Sequence, residues 1–173
     1  MTSVLKILES LEREDGLEVS KLEKSLKLTK KLDRDNLHIA IKALSKLGIV
    51  QYINDEKLTV NNELGFIQGR IRCSSKGFCF VVRDDQGEDI YIRDNLLNCA
   101  WNGDKVLVRI IKEGVKRRAP EGIVDCILER SNKILLGRVE VKNDLVYGIP
   151  IDDRILSKIV LPSSDIKFLY KPN

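Results

Sequence analysis

The chain has 173 residues, 43% of them hydrophobic and 32% charged, with a net charge of +4 and a pI near 8.8. This apolar content is enough for two or three small packed cores and excludes a disordered polyelectrolyte, while the mild basicity permits a nucleic-acid partner without requiring one. No stretch approaches the ~20 apolar residues that cross a bilayer, and Cys73, Cys79, Cys99, Cys126 and the single His38 show no metal-ligand spacing, so a cytoplasmic, reduced chain with no metal of its own is expected.

In chain order, Val4, Leu5, Ile7, Leu8 and Leu11 recur at helical spacing until Asp15-Gly16 breaks the pattern. Ser20 is placed to cap a second short helix carrying Leu22 and Leu26. A third runs from about Asp33, with Leu37, Ala40, Ile41, Leu44 and Leu47 on one face, to Gly48. Ile49 to Ile53, the turn Asn54-Asp55-Glu56-Lys57 and Leu58-Thr59-Val60 then read as a hairpin. Three helices and a hairpin predict a winged helix-turn-helix over residues 1–64. Lys31, Arg34, His38 and Lys42 line the outer side of the third helix, yet residues 1–64 hold 11 Lys and Arg against 11 Asp and Glu. Such neutrality is unusual for a reader of duplex DNA and leaves two roles open, nucleic-acid contact or partner docking.

From residue 65 the period changes to two. Gly69-Arg70-Ile71-Arg72, Lys76-Gly77-Phe78-Cys79-Phe80-Val81 and Asp89-Ile90-Tyr91-Ile92-Arg93 alternate, so that Arg70, Arg72, Phe78, Phe80, Tyr91 and Arg93 share one face and the aliphatic residues the other. After Asn102-Gly103-Asp104, a fourth strand has Val106, Val108 and Ile110 facing inward. A basic loop with Lys112, Lys116, Arg117 and Arg118 leads past Pro120 to a fifth, Gly122 to Glu129. Five strands predict an oligonucleotide-binding (OB) type barrel over residues 65–131. Rings interleaved with cations on its outside suit single-stranded RNA, since every base has a face to stack and every nucleotide a phosphate. Arg70, Arg72, Lys76, Phe78, Phe80, Tyr91, Arg93, Lys116, Arg117 and Arg118 are the candidate RNA-binding residues.

Lys76 to Val81 resembles the first RNA-binding motif of cold-shock domains, and Asp89 to Arg93 the second, with Cys79 where that family has glycine and Arg93 where it has histidine. Neither departure removes the function, because cysteine is small and arginine both stacks and pairs with phosphate. Together with Gly103-Asp104-Lys105-Val106-Leu107-Val108, Glu121-Gly122-Ile123-Val124 and Leu128-Glu129-Arg130, the chain is similar to the amino-terminal region of bacterial ribonuclease R and the ribonuclease II family. Leu136-Gly137-Arg138-Val139, Val146-Tyr147-Gly148-Ile149-Pro150 and Ile159 to Pro162 resemble the opening of that family's second cold-shock barrel, giving a partial domain over residues 132–173 that is not expected to close. The expected fold is therefore α+β and multidomain.

The resemblance implies a 3′–5′ exoribonuclease whose barrels guide a single strand to a catalytic domain, where clustered aspartates hold Mg²⁺. Asp84-Asp85 and Asp152-Asp153 fall in apparent turns, so no catalytic or metal-binding residue is assigned and the chain itself is expected to be silent as a nuclease. Single-stranded RNA and the remainder of such an exoribonuclease are the expected partners. A free-standing regulator, with the winged helix binding DNA or a protein and the barrel binding RNA, is the alternative.

Overall fold

A chain that alternates between periods of 3.6 and 2 must bury two kinds of apolar face, and it does so in adjoining cores. The computed structural model describes residues 3–14, 16–53, 56–132, 134–143 and 145–162. Helices α1 (Val4–Glu12), α2 (Val19–Ser25) and α3 (Lys31–Lys46) turn Ile7, Leu8 and Leu11, then Leu22, then Leu37, Ile41 and Leu44 toward one another. Strands β1 (Leu17–Glu18), β2 (Val50–Ile53) and β3 (Lys57–Val60) form a small antiparallel sheet in the order β1-β3-β2. Three details differ from the sequence reading. Ser20 lies inside α2, whose N-cap is Glu18, and β1 is too short to show alternation. Asn54 and Asp55 of the expected turn lie outside the described residues, and Lys57 already belongs to β3.

The expected barrel is present and closed. Strands β4 (Ile67–Cys73), β5 (Cys79–Arg83), β6 (Ile90–Ile92), β7 (Lys105–Lys112) and β8 (Glu121–Glu129) follow the order β4-β5-β6-β8-β7, with β7 pairing back to β4. All pairs are antiparallel except β6 with β8. Ile71, Val81, Ile90, Ile92, Val106, Val108 and Val124 fill the interior. Gly69 permits the close passage of β4 over β5, since a Cβ there would lie 2.5 Å from both Val81 Cγ1 and the Val82 carbonyl oxygen.

In β7 three consecutive residues, Val106, Leu107 and Val108, are buried, which one-sided alternation does not predict. Leu107 points outward, and with Leu128 of β8 it joins the core of the helical unit, against which Phe66 and Cys126 also pack. One flank of the barrel exterior is thus covered by helices.

The cysteines depart from the expectation of a fully reduced chain. Cys73 and Cys79 are register partners on β4 and β5 and form a disulfide, while Cys99 and Cys126 are free. Sequence separation hid this, because the intervening residues make a tight hairpin loop. Beyond the barrel, β9 (Gly137–Lys142), β10 (Leu145–Pro150) and β11 (Ile159–Leu161) form a separate antiparallel sheet, ordered β11-β10-β9. Among the described residues no helix is long and apolar enough to cross a membrane.

Candidate nucleic-acid interface

The flank of the barrel that the helices leave bare is organised by strand register. Arg72 on β4 lies opposite Phe80 on β5, Phe80 opposite Tyr91 on β6, Tyr91 beside Glu121 on β8, and Glu121 opposite Lys112 on β7. One row across five strands therefore reads cation, ring, ring, carboxylate, cation. The alternation that sends Ile71, Val81, Ile90 and Ile92 inward is what sends this row outward. Phe80 and Tyr91 are half-buried at their edges and pack with centroids 5.4 Å apart at 53°, a tilted pair that holds both rings in fixed orientation.

Phe78 lies just before β5, in the loop after β4, and is 55% exposed. It extends the ring surface beyond the strands instead of standing in the same ladder as Phe80, because Gly77 adopts φ +84° and turns the chain there. Lys76 in the same loop is exposed.

The candidate cations divide into two groups. Arg70 Nη1 donates to the Gly103 carbonyl at 2.6 Å, and Arg93 Nη2 donates to Glu121 Oε2 at 2.6 Å, so both are engaged with the protein. Arg72, Lys76, Lys116, Arg117 and Arg118 are exposed and form no ion pair among the described residues. Reciprocal backbone bonds between Val115 and Arg118, 3.0 and 2.7 Å, fold the basic loop into a small turn. That turn shares a depression with Glu88, just upstream of β6, and the Tyr91 amide donates to the Pro120 carbonyl at 2.8 Å. Lys112, read from sequence as part of this loop, is the last residue of β7.

Glu121, which no local sequence pattern marks as a site residue, is only 8% exposed. A glutamate before a strand reads as a solvated flank, and only the parallel β6–β8 pairing reveals that it sits beside Tyr91. Asp104, which its place in Asn102-Gly103-Asp104 marks only as a turn residue, does more than turn the chain. It is fully buried and accepts from the Trp101 and Ser131 amides and from Arg130 Nη1, at 2.8, 2.9 and 2.7 Å, while Arg130 stacks 4.2 Å over Trp101. This knot pins the turn between a short 3₁₀ segment (Asp94–Leu96) and β7.

The acidic pairs serve as local structure. Asp84 meets Lys105 Nζ at 3.2 Å, and Asp152 is bound by Arg154. Asp85 is chelated by Arg83, whose hydrogen bonds hold its pKa down at about 2. No three His, Cys, Asp or Glu side chains converge on a common point among the described residues.

Comparison with known proteins matches residues 5–61 to the family described as the cyanobacterial RNase R N-terminal domain, and residues 69–127 to the ribonuclease B OB domain. The acetazolamide conferring resistance protein zam of Synechocystis sp. is 42% identical over 130 residues, covering 75% of this chain and 16% of that protein. Ribonuclease R of Acidithiobacillus ferrooxidans is 26% identical over 123 residues, covering 71% of this chain and 28% of that sequence. The chain thus spans less than a third of either curated relative. A solved structure of yeast Ssd1, a pseudonuclease, superposes with a TM-score of 0.46 at 18% identity, over 57% of this chain and 18% of that one. The two matched domains, together with the curated relatives named ribonuclease R, show that the chain carries the amino-terminal and OB domains of the ribonuclease R family.

Proposed function

We propose that the bare flank of the barrel binds single-stranded RNA and, in the whole protein, guides it toward the catalytic domain of a 3′–5′ exoribonuclease. Bases stack on Phe78, Phe80 and Tyr91, and phosphates run past Arg72 and Lys76 toward Lys116, Arg117 and Arg118. Arg70 and Arg93 act from the protein side, the first fixing the turn at Gly103 and the second neutralising Glu121. The observation that carries this reading is the ordered Phe80–Tyr91 pair, left bare between cations while the opposite flank is covered by helices.

Residues 1–64 are read as a winged helix-turn-helix, with β2 and β3 as the wing. In a free-standing regulator that bound DNA, α3 would enter the groove. Lys31, Arg34, His38 and Lys42 are exposed on α3 as expected, but exposed Leu32, Asp35 and Ile39 lie among them, so the helix presents a mixed surface and not an unbroken basic stripe for a phosphate backbone. Strands β9 to β11 are read as the opening of a second barrel of the same kind. The described residues offer no cluster suited to Mg²⁺, so no cleavage step is assigned to them.

Fluorescence anisotropy with a labelled single-stranded RNA tests the proposal. Binding should weaken as salt rises, with a log–log slope of up to about −3.5 if all five unpaired cations engage phosphate. Prolonged incubation with Mg²⁺ should leave the RNA at full length. A salt-independent affinity, or stepwise shortening from the 3′ end by homogeneous protein, would contradict it.

A further inference from the structure

Cys73 is the last residue of β4 and Cys79 the first of β5, and the disulfide between them closes the loop that carries Lys76 and Phe78. The pair lies one step inside the Ser74 amide to Phe78 carbonyl bond of 2.8 Å, where antiparallel Cα atoms approach most closely, here 4.1 Å. The other bonds holding the loop, Gly77 amide to Ser74 carbonyl and Phe78 amide to Ser74 Oγ, are internal to it. Among the described residues, the Cys73–Cys79 disulfide is the covalent cross-link between β4 and β5 at the mouth of the loop. Cys99 is exposed on a separate loop and Cys126 lies on the helix-covered flank, so neither competes for this pairing.

We propose that Cys73 and Cys79 constitute a reversible dithiol–disulfide site whose oxidation clamps the Phe78 loop and strengthens RNA binding. The chemistry stands on the cysteine geometry, and the effect on affinity rests on the RNA reading above. In the oxidising direction the Cys73 thiolate attacks a low-molecular-weight disulfide such as glutathione disulfide, expelling one glutathione thiolate. The Cys79 thiolate then attacks Cys73 Sγ and expels the second. Two cysteine protons pass to solvent, the cysteine pair loses two electrons, and glutathione disulfide gains them. Both sulfurs are secluded, Cys73 at 5% and Cys79 at 0% exposure, so exchange proceeds through fraying of the strand ends beside the loop. Once reduced, the same fraying releases Phe78, and RNA must then reorder the loop when it binds.

The test uses the whole chain equilibrated in glutathione redox buffers, with the state of Cys73 and Cys79 read by thiol trapping and peptide mass. The expected result is reversible interconversion, with the oxidised form binding single-stranded RNA about three- to tenfold more tightly, a part of the weight of one stacked base. Reduction should also raise amide exchange at Ser74 to Phe78 while leaving β7 and β8 protected. Equal affinity in two verified redox states overturns the inference and leaves the RNA reading intact. If neither state binds RNA, the RNA reading fails, and exchange decides the remainder: unchanged protection of residues 74–78 on reduction overturns the clamp. A pair that neither forms nor breaks in these buffers overturns it as well. The Cys73→Ala/Cys79→Ala variant, where it folds, should bind like the reduced chain and ignore the buffer.

Discussion

Phe78 is the side chain whose removal separates binding from folding most cleanly, because more than half of its surface faces solvent and it lies outside the ladder. Phe78→Ala should weaken single-stranded RNA binding by about fivefold to a hundredfold, the weight of one stacked base, with an unchanged melting temperature. Phe80→Ala should cost affinity and some stability together, since its ring packs on Tyr91. Circular dichroism melts beside anisotropy titrations distinguish the two. The free cysteines make a second prediction at this scale. Burial, with help from the Asp125 carboxylate, pushes the Cys126 thiol up to about 11, so it stays protonated at neutral and mildly alkaline pH. Iodoacetamide at pH 8 should therefore label Cys99 and spare Cys126 in the folded chain, which peptide mass spectrometry reads directly.

Among the elements, the turn into β7 depends most on a single group. Asp104 offers its buried carboxylate to two amides and one guanidinium, so Asp104→Ala strands three donors at once. A loss of about 2–4 kcal/mol is expected by urea denaturation, with Asp104→Asn intermediate because it keeps one acceptor. Sequence periodicity made the helices and barrel strands legible wherever an element was long enough to repeat its pattern. The two-residue β1 was not, and Leu107 defied alternation because its cover comes from a distant segment. The row of rings was legible for the same reason as the strands, since period two alone puts Phe80 and Tyr91 outside once Val81 and Ile90 go inside. The place of Glu121 depends on the parallel pairing of β6 with β8 and that of Asp104 on Arg130 and Ser131 beyond β8, which no local pattern encodes, whereas the Cys73–Cys79 bond follows from the local β4–β5 hairpin register.

For the whole molecule, the shared core means that helices and barrel support each other. Leu128 on β8 is buried among the helical residues, so Leu128→Ala should destabilise the chain by about 2–4 kcal/mol. A single cooperative transition followed by both tryptophan fluorescence and far-ultraviolet circular dichroism should persist, at lower denaturant. Two separated transitions in the parent chain would show that the units fold independently. The proposed RNA path rests on the same arrangement, because helices occupy one flank of the barrel and leave the aromatic row on the other. Photo-cross-linking of a single-stranded RNA carrying 4-thiouridine, with the attachment sites mapped by mass spectrometry, tests this most directly. Cross-links should concentrate at Phe78, Phe80 and Tyr91, with weaker ones at Lys116 to Arg118, whereas cross-links confined to α3, between Lys31 and Lys42, would contradict the account.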